Sequence, residues 1–135
     1  MTKEENPPRA EEGQVVSGWK VDDTQRGELL LQFPARYPNV VADHVTLKPS
    51  IDAWAPLPDP VVGEIVGRAD DGEGVEAMVV SIDGSTDRPD GGTWHITWSL
   101  ADGRRARESN DVIRESGWEK FDLPMPVQLA PARWP

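Results

Sequence analysis

The chain has 135 residues, no cysteine and a formal net charge of -10 at pH 7. A chain of this length builds one core rather than two, and the lack of cysteine excludes disulfides and thiolate metal sites. The negative charge disfavours long double-stranded nucleic acid, whose phosphates bind mainly to Lys and Arg. No apolar run reaches the roughly 18 residues that span a bilayer, so we expect a cytoplasmic protein without a membrane partner.

The first part of the chain is predicted to change from disorder to regular structure. Residues 1–13 are polar and contain prolines, which predicts a disordered lead-in, and residues 14–135 are expected to form a single domain. Strand composition extends over residues 14–21. The Asp22-Asp23-Thr24 segment then offers an N-cap for a short helix over residues 25–33.

The middle of the chain is predicted to consist mostly of strands. Residues 40–48 are rich in β-branched side chains and should form a strand that ends at Pro49. Three prolines within residues 52–60 predict an extended connector. The apolar runs over residues 61–68 and 75–82 flank an acidic, glycine-containing loop, so they should pair as a hairpin.

A long glycine-containing loop over residues 83–92 leads into another strand, over residues 93–100. Ser109 is predicted to cap a short helix that ends before Gly117. The proline-spaced apolar tail, residues 121–134, should form an edge strand or a strap across the sheet. We therefore predict an α+β fold, with a mostly antiparallel sheet and two or three short helices.

Both histidines of the chain stand two residues before a threonine, in His44-Val45-Thr46 and His95-Ile96-Thr97. Side chains alternate along a strand, so each histidine shares a face with its threonine, within reach of one phosphate group. Imidazole, with a reference pKa of about 6.5, suits a general acid or base near neutral pH, and hydroxyls can stabilise charge on a phosphate under attack. We therefore predict His44, Thr46, His95 and Thr97 as catalytic residues that cleave a cyclic phosphodiester.

The segments His44-Val45-Thr46-Leu47 and His95-Ile96-Thr97-Trp98 resemble the two motifs of the two-histidine (2H) phosphoesterase superfamily. The stretch 94–100 is similar to the second motif of the cyclic-phosphodiesterase parts of RNA-repair and tRNA-ligase proteins. The resemblance implies a bilobal α+β fold with pseudo-twofold symmetry. The two histidines are 51 positions apart in the sequence, closer than in typical members, so we expect a compact variant of that fold. The substrate that it implies is the 2′,3′-cyclic phosphate of a small nucleotide or RNA 3′ end, ADP-ribose cyclic phosphate, or a cyclic or 2′-5′-linked oligonucleotide. We expect a monomer.

Six further side chains are secondary candidates for substrate binding: Tyr37, Arg36, Lys48, Trp98, Arg104 and Arg105. Guanidinium groups bind phosphate oxygens and aromatic rings stack on bases, although turn arginines are more often solvated and strand tryptophans more often lie in the core. The proposed chemistry requires no metal, so no cofactor is expected.

Two alternatives stay open at this point. Each histidine alone is more often a structural imidazole at a sheet surface, and only the repeated pattern favours chemistry. The alternative function is a non-catalytic module that binds a phosphate ester or a protein through the same cleft.

Overall fold

The computed structural model describes residues 15–50 and 56–134, and the predicted lead-in lies outside the described residues. These residues form an α+β fold, as predicted. The elements in chain order are β1 (Val15–Val21), α1 (Asp23–Gln32), β2 (Asn39–Val40), β3 (His44–Ser50), β4 (Val61–Asp70), β5 (Val75–Ser81), β6 (His95–Leu100), α2 (Glu108–Ser116) and β7 (Glu119–Trp134). Neither helix has the length and apolar character needed to cross a bilayer, within the part of the chain described.

The strands form one antiparallel sheet that closes into a six-stranded barrel. Neighbours follow the order β6, β3, β1, β7, β4 and β5, and β5 pairs back onto β6. The short β2 pairs with β6 beside β3. The predicted hairpin is confirmed, because β4 and β5 pair as antiparallel neighbours. The described strands thus belong to one closed sheet and do not divide into the two lobes that the resemblance implies.

Alternation along the strands gives the barrel wall an inner and an outer face. Successive residues of β5 show this, since Met78 belongs to the main core inside the barrel and Val79 to a second apolar cluster. In that second cluster α2 packs Val112 and Ile113 against the sheet. Side chains on this part of the outer face are therefore buried, although they point away from the barrel interior.

The first helix forms where the sequence predicts it and is tied to the barrel at several points. The Asp22 side chain caps the helix by accepting a hydrogen bond from the backbone N–H of Gln25. Leu29 packs into the main core. The Arg26 guanidinium donates two hydrogen bonds, each 2.8 Å long, to backbone carbonyls between β2 and β3. The helix thus holds the chain just before the first histidine.

The strand predicted over residues 40–48 is broken in two. Ala42 has a φ angle of 45°, in the left-handed region that non-glycine residues rarely adopt. The chain contacts β6 on both sides of the break, and Asp43 and His44 are extra residues between the two contacts. Such a bulge bends a strand and changes the direction of a side chain, so the break bears directly on the position of His44.

Two local predictions about proline-containing strands were wrong. β3 continues through Pro49, which pairs with Val16, because the fixed φ of proline is compatible with an extended strand. The segment 121–134 is not an edge strand, since β7 pairs with both β1 and β4. The two neighbours bury Val127 and Leu129, and this burial outweighs the ladder hydrogen bonds that prolines cannot form.

The prediction that Ser109 caps the second helix was also wrong. α2 begins two residues earlier than predicted, at Glu108, and Arg107 takes the N-cap position without a side-chain hydrogen bond. Ser109 is fully buried inside the first turn. Its hydroxyl lies 2.9 Å from the hydroxyl of Thr97 on β6, so a tertiary contact takes the place of the predicted local one. Gly117 follows the helix as predicted, with a φ of 74°.

Candidate active site

The two His-x-Thr motifs lie side by side on neighbouring antiparallel strands. The pair Val45 and Ile96 joins the central residues of the two tripeptides, and both belong to the main core. Residues that flank such a pair share the opposite face of the sheet, so both histidines and both threonines face outward. Diagonal neighbours across an antiparallel pair lie roughly 7–8 Å apart. This spacing is the basis for the proposal, made below, that one phosphate group meets both imidazoles.

His95 is almost completely buried and neutral at pH 7. Only 8% of its surface is exposed, and its Nδ1 lies 2.8 Å from the carbonyl oxygen of Thr93. A carbonyl only accepts hydrogen bonds, so Nδ1 carries the proton and Nε2 keeps its lone pair. Burial, together with the charges of Arg88 and His44, lowers the pKa of His95 to about 4, although the Thr93 bond and the charge of Asp90 oppose this shift.

His44 is more accessible, and it contacts an acid rather than a carbonyl. Its side chain is 21% exposed, and its Nδ1 lies 3.2 Å from Asp43 Oδ2. The imidazole ring also lies against the Trp134 ring, with 4.7 Å between the centroids. Burial lowers the pKa of His44 below its usual value and Lys20 adds to this effect, whereas the Asp43 carboxylate opposes it.

A lysine completes the surroundings of His44. Lys20, the residue of β1 that pairs with His44, places its Nζ 2.6 Å from Asp43 Oδ2. The same ammonium lies 5.3 Å from the centroid of the Trp134 ring. Partial burial opposes ionisation of Asp43, but hydrogen bonds from Lys20 and His44 hold the pKa of this carboxyl below its usual value. The direction of this shift favours the ionised carboxylate beside His44.

The two threonines of the motifs have different surroundings. Thr97 is buried, and its hydroxyl donates to the Ala106 carbonyl at 3.2 Å and contacts the Ser109 hydroxyl at 2.9 Å. Thr97 thus anchors the start of α2 to the barrel. Thr46 is half-buried, and its hydroxyl makes no hydrogen bond within residues 15–50 and 56–134. Of the two hydroxyls, only that of Thr46 is free to bind a ligand.

A groove lined by charged residues lies between α2 and the loop before β6. Arg88, with 10% of its side chain exposed, donates from Nε to Asp90 Oδ1 at 2.8 Å and from Nη2 to Asn110 Oδ1 at 3.0 Å. These three residues and Thr93 line a cavity of about 340 Å³ between the 88–93 loop and α2. The loop therefore brings a fixed positive charge near one of the two histidines.

The structure does not bring Arg36 and Tyr37 to the histidines. Both bind Asp70, through Arg36 Nη1 at 2.8 Å and the Tyr37 hydroxyl at 2.6 Å. The backbone N–H of Tyr37 donates to the hydroxyl of Ser99. Ser99 lies on the same strand as His95 but about 13 Å further along, at 3.3 Å for each residue. These two candidates therefore belong to a different end of the barrel wall.

The tryptophans on either side of His95 belong to the core. Trp98 is fully buried inside the barrel, and its Nε1 donates to the Phe33 carbonyl at 2.8 Å. Its prediction as a substrate-binding residue was wrong, because alternation turns it away from the outer face. Trp94 is also buried and packs edge-on against Trp19, as the prediction of a core role requires.

The remaining cationic candidates lie on the surface. Arg104 forms ion pairs with Asp71 at 2.9 Å and Glu108 at 2.8 Å, so its guanidinium is committed to the protein. Lys48 is exposed, and Arg105 is partly exposed. The side chains of these two residues make no hydrogen bond or ion pair with other parts of the chain that the structure describes. Their proposed contact with substrate stays a prediction.

Sequence reasoning missed Asp43, Lys20 and the link between Thr97 and Ser109. The position of Asp43 directly before His44 was a usable signal, because a carboxylate beside a histidine commonly orients the ring. Lys20 reaches the site only through the register of β1 against β3, which no local pattern reveals. Among the described residues no group of three or more His, Asp or Glu could hold a metal ion.

Comparison of the chain with known protein families, with characterised proteins and with solved structures finds no match. The geometry of the two motifs is therefore the basis for a proposal of function.

Proposed function

We propose that this chain hydrolyses a cyclic phosphodiester on a small nucleotide or an RNA 3′ end, with His44 and His95 as an acid-base pair. One observation carries the proposal: the two His-x-Thr motifs meet across the pair Val45 and Ile96, with both imidazoles on one face of the sheet. The scheme needs no metal ion, since imidazoles supply both proton transfers.

In this proposal His95 is the general base. Its Nδ1 proton is held by the Thr93 carbonyl, so the basic atom is Nε2. Nε2 takes a proton from water as the water oxygen forms a bond to phosphorus. A histidine with a pKa of about 4 is neutral, and hence able to accept a proton, across the whole range above that pH.

His44 is then the general acid. As the bond between phosphorus and one ribose oxygen breaks, His44 Nε2 gives its proton to that oxygen. The product is a 2′- or 3′-phosphomonoester, and the two imidazoles return to their starting states by exchanging protons with water. The more exposed position of His44 and its contact with Asp43 support this assignment.

The phosphate itself needs donors for its non-bridging oxygens. Thr46 is available for this task, because its hydroxyl has no partner among the described residues. Thr97 supports the site by anchoring the start of α2 to β6, the strand of His95. Direct contact between its hydroxyl and the phosphate stays a prediction, because the hydroxyl would have to release the Ala106 carbonyl.

We further propose that the chain is related to the 2H phosphoesterase superfamily. Paired His-x-Thr motifs on neighbouring strands of one wall support it. In this proposal the chain is a compact variant of the family, because the two motifs adjoin within one closed sheet of the described residues instead of belonging to two lobes.

The test is turnover of 2′,3′-cyclic nucleotides and of an oligoribonucleotide ending in a cyclic phosphate, with EDTA present and products read by mass. His44→Ala and His95→Ala should each lower kcat by about 10²–10⁴-fold, while the exposed Asp122→Asn control retains wild-type activity. The value of kcat/KM should peak at mildly acidic pH, because His95 must be neutral, His44 must be protonated, and both pKa values lie below 6.5.

Two results would count against hydrolysis. Tight binding of these ligands without product would favour the non-catalytic module. Turnover that survives the loss of either histidine would assign the activity to other residues.

A further inference from the structure

Asp43 is the side chain that links Lys20 to His44. A single carboxylate oxygen, Oδ2, accepts from Lys20 Nζ at 2.6 Å and lies 3.2 Å from His44 Nδ1. Because Nδ1 is occupied in this way, the reactive nitrogen left to His44 is Nε2 on the other side of the ring. The carboxylate therefore selects the atom with which His44 can exchange a proton.

The backbone around Asp43 is held from both sides of the bulge. The N–H of Val21 donates to the Asp43 carbonyl at 2.9 Å, and Arg26 binds the carbonyls of Val41 and Ala42. Ala42 itself adopts the left-handed conformation that makes the bulge possible. These contacts fix the backbone of Asp43 beside His44, while the side chains of Asp43 and Lys20 are 42% and 43% exposed.

The third side of His44 is closed by an aromatic ring. Trp134 contacts the imidazole at 4.7 Å between centroids and also lies under the Lys20 ammonium. The charged or titratable groups that bear on His44 are thus Asp43, Lys20 and, across the strand pair, His95. The ring is thus held between a carboxylate and a tryptophan.

We propose that Asp43 is a positioning residue for the reaction, which holds the His44 ring through Nδ1 so that Nε2–H faces the leaving oxygen, and that Lys20 holds Asp43 in place. This inference rests on the proposed function. No proton passes to Asp43 in the step: the proton leaves His44 Nε2 for the ribose oxygen, and the carboxylate stays ionised beside the ring.

Asp43 and Lys20 carry opposite charges, so the proposal makes opposite predictions for them. The carboxylate stabilises the imidazolium form of His44, and the ammonium destabilises it. Removing the carboxylate should lower the pH at which His44 loses its proton. Removing the ammonium should raise that pH. A variant that merely loosened the fold would not move the two values in opposite directions.

The experiment compares Asp43→Asn, Asp43→Glu and Lys20→Met with two matched controls, Asp122→Asn and Lys120→Met. Asp122 and Lys120 are exposed residues of β7, and Lys120 lies roughly 30 Å along the strand from the residue that pairs with Lys20. For each variant, kcat and KM on a 2′,3′-cyclic nucleotide are measured across pH, and the His44 resonance is titrated by NMR.

Asp43→Asn should lower kcat about tenfold or more, as part of the 10²–10⁴-fold that an acid-base group contributes, with little change in KM. The alkaline limb of the pH profile of kcat should move to lower pH in Asp43→Asn. In Lys20→Met the same limb should move to higher pH. Asp43→Glu should retain part of the activity that Asp43→Asn loses.

The proposal is overturned if Asp43→Asn behaves like Asp122→Asn. It is also overturned if Asp43→Asn and Lys20→Met shift the alkaline limb in the same direction, or if both lower kcat without moving it. If the wild-type protein cleaves no cyclic phosphate, the proposed function fails by itself. The NMR titration then still decides the structural half of the inference, since the pKa of His44 either responds to the two variants in opposite directions or does not.

Discussion

The surroundings of His44 and of His95 differ, although one tripeptide pattern carries both. His44 is 21% exposed and contacts a carboxylate and an indole ring. His95 is 8% exposed and contacts a backbone carbonyl. The pattern therefore determines which face of its strand each imidazole occupies, whereas the neighbouring elements determine how readily it takes up a proton.

Two features of the fold produce this difference. On β6, His95 lies in a buried part of the outer face, where Thr97 bonds to Ser109 at the start of α2. Before β3, the bulge at Asp43 takes the chain away from β6, so His44 stays near the surface. Burial and exposure thus give the imidazoles of two otherwise similar motifs different surroundings, which is the basis for the proposed acid and base roles.

The largest expected consequence for stability concerns acid. The pKa of His95 is about 4 in the folded protein and about 6.5 when unfolded, so between these values the unfolded chain binds a proton that the folded chain does not. The free energy of unfolding should therefore fall as the pH drops from about 6.5 to about 4, by about 3 kcal/mol from this group. Urea unfolding of wild type and His95→Gln across pH measures the difference.

His44→Gln serves as the matched control for that experiment. Because His44 is more exposed, its removal should change the pH dependence of unfolding less than removal of His95 does. If the free energy of unfolding falls equally with acid in wild type and His95→Gln, His95 is not buried in its neutral form. The proposed difference between the surroundings of His44 and His95 would then be contradicted.

A smaller difference is expected between the two threonines. Thr97→Val removes a buried hydroxyl that bonds to Ala106 and Ser109, so it should lower the free energy of unfolding by about 1–3 kcal/mol. Thr46→Val removes a half-buried hydroxyl without such partners, and a change within about 0.5 kcal/mol is expected. Thermal and urea unfolding give both values, with Thr97→Ser as the variant that keeps the hydroxyl. Equal losses at the two positions would contradict the anchoring role of Thr97.

Much of the fold could be predicted because its signals are local. Asp22 caps α1, and an acidic turn joins the paired strands β4 and β5; both follow from residues close together in the chain. The place of β7 between β1 and β4 depends on partners far away in sequence. The prolines of β7 therefore favoured an edge position until the pairing was known.

The candidate site shows the same difference between local signals and long-range contacts. Alternation within each strand predicted the shared face of each His-Thr pair, and it holds for both motifs. The neighbours that set the chemistry, Lys20 beside His44 and Ser109 beside Thr97, arrive through strand register and helix packing. No pattern within the tripeptides contains that information, which is why the two histidines looked equivalent in the sequence.

The central claim of the proposal is that both imidazoles bind the same phosphate group. The chain has only two histidines, so NMR of the imidazole resonances during titration with a nucleoside 2′- or 3′-monophosphate tests it directly. The account predicts that both resonances shift and saturate with one Kd, and that His44→Ala weakens the response of His95. A ligand that shifts only one of the two resonances, or neither, would contradict it.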